Sequence, residues 1–221
     1  MIEIKISPEL KAQSPLLCLG CVQAKVKVEA SPKELLALID QKNREIMGTM
    51  DIEKVSGLDQ LAASRETYKR LGKNPGRYRN SAEALMRRVL QGKGIYIINN
   101  VVEINNLISL KAACSVGSYD LAHIKGAIQF TIGKEGEQYK GIGKELINVE
   151  NLPILEDDLG KFGSPTSDSE RAMITADSKE ILMIMFSFGG RVGIMDYLTE
   201  AKQLLVQYAS AQDVEMAVIE G

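Results

Sequence analysis

Residues 101–121, VVEINNLISLKAACSVGSYDL, decide how the middle of this chain is read. Val101, Ile104, Ile108 and Ala112 recur at helical spacing and predict an amphipathic helix. Asn105 shares that apolar face, and Asn106 lies about 100° around from it. Another pair, Asn99 and Asn100, stands just before the helix. A buried carboxamide costs free energy unless its donors and acceptors find partners. These asparagines therefore either close a hydrogen-bond network or face a ligand.

The segments on either side predict a mixed architecture. IEIKI alternates as a first strand, and LLCLGCVQAKVKVEA gives one or two more. SPKELLALIDQKNREIM predicts a helix with Ser31 as its cap and Pro32 at its first position. GLDQLAASRETYKRLG predicts another, ending at Gly72, and NSAEALMRRVLQG a third, with Asn80 as cap, Glu83 three residues on and Gly92 as its stop. GAIQFTIG, RAMITAD and EILMIMFSFGG predict strands, and residues 139–165 short strands and turns. MDYLTEAKQLLVQYASA predicts a last amphipathic helix. Strands and helices do not alternate regularly, which favours an α+β fold over a doubly wound sheet. Turn residues cluster at 74–80. They set a boundary between an N-terminal αβ element, residues 1–73, packed on a core of residues 74–221, the two forming one compact unit.

Composition narrows the function classes. A chain of 221 residues with 45% hydrophobic content can bury a substantial core. The formal net charge of −2 gives no global reason to bind DNA or an acidic membrane. Tryptophan is absent and aromatics are 5%, which argues against broad base-stacking platforms. The opening MIEIKISPEL shows no secretory pattern. The apolar run ILMIMFSF is far shorter than the roughly 20 residues that span a bilayer. A cytoplasmic protein with no membrane contact is expected.

Two tempting motifs fail. Cys18 and Cys21 lie three apart, but strand periodicity sends them to opposite faces, and with Cys114 and the only histidine, His123, they match no common zinc spacing. GKEGEQYKGIGKEL puts Gln138 where a phosphate loop needs glycine and Glu145 where it needs serine or threonine. No metal and no cofactor are expected. His123, in AHIKG, has no obvious catalytic partner.

One region departs from the neutral background. Lys69, Arg70, Lys73, Arg77, Arg79, Arg87, Arg88 and Lys93 are opposed only by Glu83. Arg77 and Arg79 precede a predicted helix N-terminus, where free backbone N–H groups favour an anion. Arg77, Arg79, Arg87 and Arg88 are thus candidates for holding phosphate; the alternative is a solvated face bridged to the acidic LEDDLG and SDSER stretches. In PTSDSERAMIT, Ser167, Asp168, Ser169, Arg171 and Thr175 form a second polar constellation. Arg171 there either braces Asp120 or Glu83 or meets a carboxylate or phosphate.

Taken together, NPGRYRNSAEALMRRVLQGKG, NNVVEINNLISL, GSYDLAHIKG, GEQYKGIG and GKFGSPTSDSERAMIT occur in an order that resembles the editing module of the phenylalanyl-tRNA synthetase β subunit, its tRNA-binding B three/four domain. The likeness spans about residues 74–190. It implies layered mixed sheets and helices around a pocket that hydrolyses a wrongly attached aminoacyl ester. It also implies pocket roles for Asn105, Asn106, Tyr119 and Asp120, with Asn105, Asn106 and Asp120 as catalytic candidates. Gly117 stands where the synthetase carries a pocket histidine, and Ile184 near where it carries a glutamate. The implied partners are tRNA or aminoacyl-tRNA, and the implied role is translation quality control by a free-standing deacylase, without tRNA-charging ability. A non-catalytic module that binds RNA or an amino-acid-like small molecule is the alternative.

Overall fold

A computed structural model describes residues 1–221. The chain opens with β1 (Ile4–Ile6), α1 (Pro8–Gln13) and β2 (Cys18–Lys25), followed by α2 (Lys33–Thr49), α3 (Asp59–Arg70), α4 (Ser81–Leu90) and α5 (Asn100–Ala112). Seven strands then run β3 (Ser115–Asp120), β4 (Ile128–Ile132), β5 (Gln138–Lys140), β6 (Leu146–Asn148), β7 (Pro153–Asp157), β8 (Gly160–Gly163) and β9 (Glu180–Ser187). α6 (Ile194–Ala209) and β10 (Gln212–Glu220) complete the chain. The fold is α+β.

Two four-stranded sheets stack face to face. One is antiparallel in the order β10-β2-β9-β3; the other runs β1-β4-β7-β8, with β1 parallel to β4. The apolar run of β9 reads continuously because both its faces are covered. Ile181, Met183 and Met185 pack with residues of α2, α4, α5 and α6, whereas Leu182, Ile184 and Phe186 pack with Ile4, Ile128, Phe130 and Phe162 of the other sheet. Helices, first sheet and second sheet thus form three layers with two cores. β2 shows the same division: Cys18 belongs to the helix-side core and Cys21 to the inter-sheet core, on opposite faces as strand periodicity requires. At Gly20 an added Cβ would lie 2.7 Å from Ile194 Cγ2, so glycine there lets α6 lie close on the sheet. The N-terminal seventy-three residues contribute β1 to one sheet and β2, between β9 and β10, to the other.

The helix ends follow capping chemistry, with one departure. Asn80 accepts from the Glu83 N–H at 2.8 Å, and Asn99 from the Val102 N–H at 3.0 Å. Gly72 and Gly92 take the positive φ expected beyond α3 and α4. Ser31, however, does not cap α2. That helix begins at Lys33 after Pro32, with no side-chain cap, because the Ser31 hydroxyl is drawn to Glu103 of α5. RAMITAD is not a strand: Glu170–Ala172 form a single 3₁₀ turn, and the burial of Ala172 and Ile174 had mimicked alternation. No helix of the chain is long and apolar enough to cross a membrane.

Candidate functional site

The two asparagine pairs divide into different roles. Asn100 is fully buried and satisfied: its Nδ2 donates to the carbonyls of Lys27 and Tyr208, and its Oδ1 accepts from the Glu29 N–H. It ties α5 to the chain beyond β2 and to the end of α6. Asn105 and Asn106, one turn further on, line a cleft of about 620 Å³. Ser118 donates to Asn105 Oδ1 at 3.0 Å and orients that amide. The Asn106 Oδ1 receives one long bond of 3.4 Å from Asn105, and its own N–H groups have no partner within the chain. The helix thus presents a carboxamide donor toward the opening.

Four walls enclose this space. α4 supplies Ala84, Leu85, Arg87 and Arg88, and α5 supplies Val102, Asn105, Asn106 and Ser109. β3 supplies Val116, Gly117 and Ser118, and the loop after β8 supplies Ser164, Thr166, Ser167 and Asp168. β3 is the edge strand of its sheet. On that open side its backbone N–H and C=O groups have no neighbouring strand to pair with. Tyr96 and Ile98 stand at the rim, 61% and 62% exposed, and the Arg88 guanidinium lies 3.9 Å from the Tyr96 ring centroid.

The charge of the cleft is lopsided. Arg79, Arg87, Arg88 and Lys93 line it, against Asp168 alone. Glu83, fully buried beneath, receives Arg65 at 2.9 Å and 3.1 Å and Arg87 Nε at 2.9 Å. Arg79 Nε approaches it at 3.4 Å without completing a hydrogen bond. One carboxylate thus anchors three guanidinium groups, and a positive excess remains toward the opening.

Asp168 went unselected among the site residues expected from the sequence. Its Oδ1 accepts from the Tyr119 hydroxyl at 2.8 Å and from the Ser164 N–H at 3.1 Å, while its Oδ2 has no partner within the chain. Burial raises its pKa from 3.8 to about 6 against those two bonds. The signal in the sequence was PTSDSE, an acid in a serine-rich turn beside a strand.

Several expected site residues lie elsewhere. Tyr119 is 1% exposed, its ring held edge-on against Phe162, so it reaches the cleft only through Asp168. Asp120, the last residue of β3, is buried and accepts from Ser178 Oγ at 2.6 Å and the Ala122 N–H at 3.0 Å. It caps a turn and lines no part of the cleft. Arg171 braces neither Asp120 nor Glu83. It forms a two-pronged pair with Asp157 at 2.8 Å and 3.1 Å and donates to the carbonyls of His123 and Gly160. Arg77 is exposed and lies over the Tyr78 ring at 5.8 Å, outside the cleft. Nor does the start of α4 offer free amides: Ser81 N–H bonds the Pro165 carbonyl, Ala82 N–H the Ser115 hydroxyl and Glu83 N–H Asn80. The acidic LEDDLG stretch pairs with Arg171 and Lys161 rather than with the basic segment.

Residues 63–201 match the B3/4 domain family. The chain belongs to that family. Among solved structures it is similar to an N-terminal fragment of the phenylalanyl-tRNA synthetase β-subunit from Pyrococcus horikoshii, at 13% identity and a TM-score of 0.48. That likeness covers 98% of this chain and 50% of the other, so the chain spans half the length of that relative. None of the curated proteins matches it. Gly117, which the sequence resemblance set against a pocket histidine, has no room for a side chain. A Cβ there would lie 2.3 Å from the Tyr119 hydroxyl oxygen, and one at Gly163 2.6 Å from the same ring. Gly117 and Gly163 cradle Tyr119, and Tyr119 holds Asp168. Ile184, paired with Gly117 in the sheet, is fully buried between the sheets and does not reach the cleft.

Proposed function

We propose that this B3/4 domain receives the aminoacyl end of a charged tRNA in the cleft and hydrolyses its ester, acting in trans in cytoplasmic translation quality control. The observation that carries the reading is the meeting, in one open cleft, of unpartnered Asn106 N–H groups with an excess of arginine and lysine. An aminoacyl ester is activated, so its hydrolysis depends more on a placed water and on charge stabilisation than on a strong base. Water adds to the carbonyl carbon, the carbonyl oxygen becomes an oxyanion within reach of the carboxamide N–H groups, and the C–O bond to the terminal ribose breaks. The ribose oxygen leaves as a hydroxyl with one proton of the water, the other proton passes to solvent, and the amino acid departs as its carboxylate. Arg87, Arg88 and Lys93 neutralise the phosphates near the 3′ end. Residues 74–221 carry the ligand site on this reading, and residues 1–73 complete the sheets behind it.

The test is release of amino acid from a panel of tRNAs charged with cognate and non-cognate residues. Faster release than in buffer for at least one pairing, lost in Asn106→Ala, supports the reading. One observation favours a second reading, a binding module for RNA or an amino-acid-like molecule: His123 is exposed and remote, so no imidazole lines the cleft. Binding of aminoacyl-tRNA without accelerated release of any amino acid selects that reading.

A further inference from the structure

Resting on the aminoacyl reading of the cleft, we propose that Asp168 takes the free, protonated α-amino group of the ligand on its Oδ2, so that the site selects aminoacyl compounds whose amine is unblocked. Three features support this. Asp168 is the one acidic residue lining the cleft, where the other charged side chains are cationic and would repel an ammonium. Its carboxyl group is fixed from one side only: both hydrogen bonds converge on Oδ1, from Tyr119 on β3 and from Ser164 in its own loop. The opposite oxygen is left for a donor that the chain does not supply. Finally, an asparagine would meet the same two donors without the penalty of holding a carboxylate in a poorly solvated wall. A residue serving only to staple the loop has no need of the charge.

The placement also gives the ligand a direction. The acid sits on the loop after β8, and Arg87 and Arg88 on α4, a different wall of the cleft. An aminoacyl nucleotide fits with its amine toward Ser164 and Asp168 and its phosphates toward α4. The carbonyl between them then falls along α5, where Asn105 and Asn106 stand. This also sets the class of compound refused: N-acylated and N-formylated aminoacyl esters have lost the cation and gained bulk at the carboxylate.

Calorimetric titration with 3′-aminoacylamino-3′-deoxyadenosines, whose amide replaces the labile ester, tests the inference. Alanyl, seryl, valyl, methionyl and phenylalanyl forms are compared with their N-acetyl counterparts on the full chain. The wild type is expected to bind the free-amine member of its preferred pair roughly ten- to hundredfold more tightly. Asp168→Asn is expected to bring that ratio below about threefold through loss of affinity for the free-amine member. Equal affinity for both members in the wild type overturns the inference and leaves the functional reading standing, and this comparison needs no variant to fold. An amine preference that survives in folded Asp168→Asn likewise overturns it. Failure of every compound in both forms, with no release of amino acid from charged tRNA, overturns the functional reading and the inference together.

Discussion

The Tyr119 hydroxyl donates to Asp168 Oδ1 at 2.8 Å, across a gap that Gly117 and Gly163 keep clear. The ring reaches that position from the core between the sheets, yet its hydroxyl meets an acid at the wall of the cleft. A phenol buried this completely ionises only far above its usual range, because of burial and the neighbouring Asp168, and so it remains a donor at any working pH. Tyr119→Phe leaves the packing in place and removes that donor. The expected result is a loss of about 1–2 kcal/mol in denaturant stability. The acid limb of the pH–rate profile should also move upward, because the tyrosine bond is among the contacts that hold the Asp168 pKa down.

Asp168 itself predicts a pH dependence. Its pKa in the fold is about 6, so aminoacyl release that needs the carboxylate is expected to fall as pH drops through that value. The charged and titratable groups around it are Tyr119 and Tyr139 on the buried side and Arg79, Arg87, Arg88 and Lys93 on the cleft. A single step is expected from this one carboxyl group. A profile flat from pH 5 to 8 contradicts the role.

The same shift carries a stability consequence of definite sign. The folded pKa lies above the unfolded one, so between pH 3.8 and about 6 the folded state keeps a proton that the unfolded state has released. Stability from this group is therefore greatest below 3.8, declines as pH rises to about 6 and is level above it. Two pKa units correspond to about 3 kcal/mol, which water reaching the cleft side reduces to about 1–2 kcal/mol. Asp168→Asn is expected to melt at a higher temperature than the wild type at pH 7, with the difference closing by pH 4. A site residue whose removal stabilises the fold is one held for something other than folding.

Much of this fold was legible because local chemistry acts over a few residues. Asn80 with Glu83 and Gly92 bounded α4, and the alternation of Val22 and Ala24 against Gln23 and Lys25 gave β2. The place of Asn105 and Asn106 on α5 was legible from helical spacing, whereas their facing a pocket was implied by the resemblance and not by the spacing. The missed parts depended on distant segments. β10 lies at a sheet edge with half-buried residues on both faces and so shows little alternation. Asp168 was placed in a polar constellation but not at the pocket, because its partner Tyr119 is 49 positions away. Asp120 and Arg171 were expected at the pocket, but their bonds to Ser178 and Asp157 turn both away from it.

Gly117 offers a steric prediction. A Cβ there would meet the Tyr119 hydroxyl oxygen at 2.3 Å and its Cζ at 2.7 Å, both on a ring packed on every side. Gly117→Ala is expected to cost about 1–3 kcal/mol through overpacking and to displace the Tyr119–Asp168 bond. Gly117→His, the residue that the sequence resemblance implied at this position, is expected to lower ester hydrolysis rather than raise it. Higher aminoacyl release by that variant would show that the tyrosine yields, and would remove it from the site.

Glu83 is the buried counter-charge for Arg65, Arg79 and Arg87. Glu83→Ala leaves these cations facing one another with no acid between them, and is expected to cost about 3–5 kcal/mol. A chemical-denaturation midpoint unchanged from the wild type would mean that solvent already screens the cluster.

The rim of the cleft makes the last claim measurable. Arg88 lies against Tyr96 at 3.9 Å, and its Nε, buried, has no hydrogen-bond partner in the chain. A guanidinium stacked on an exposed ring offers a charge for a phosphate and a flat face for a base. Binding of deacylated tRNA should therefore weaken with salt, each single-stranded phosphate contact adding roughly 0.7 to the slope of log affinity against log salt. Arg88→Ala is expected to reduce that slope by about one contact, whereas Arg77→Ala, outside the cleft, should leave it unchanged. The comparison separates a contact made at the cleft from a general attraction to positive charge. Equal losses from both variants would mean that the tRNA rests on the basic segment as a whole, and the 3′ end would have no assigned path to Asn105 and Asn106.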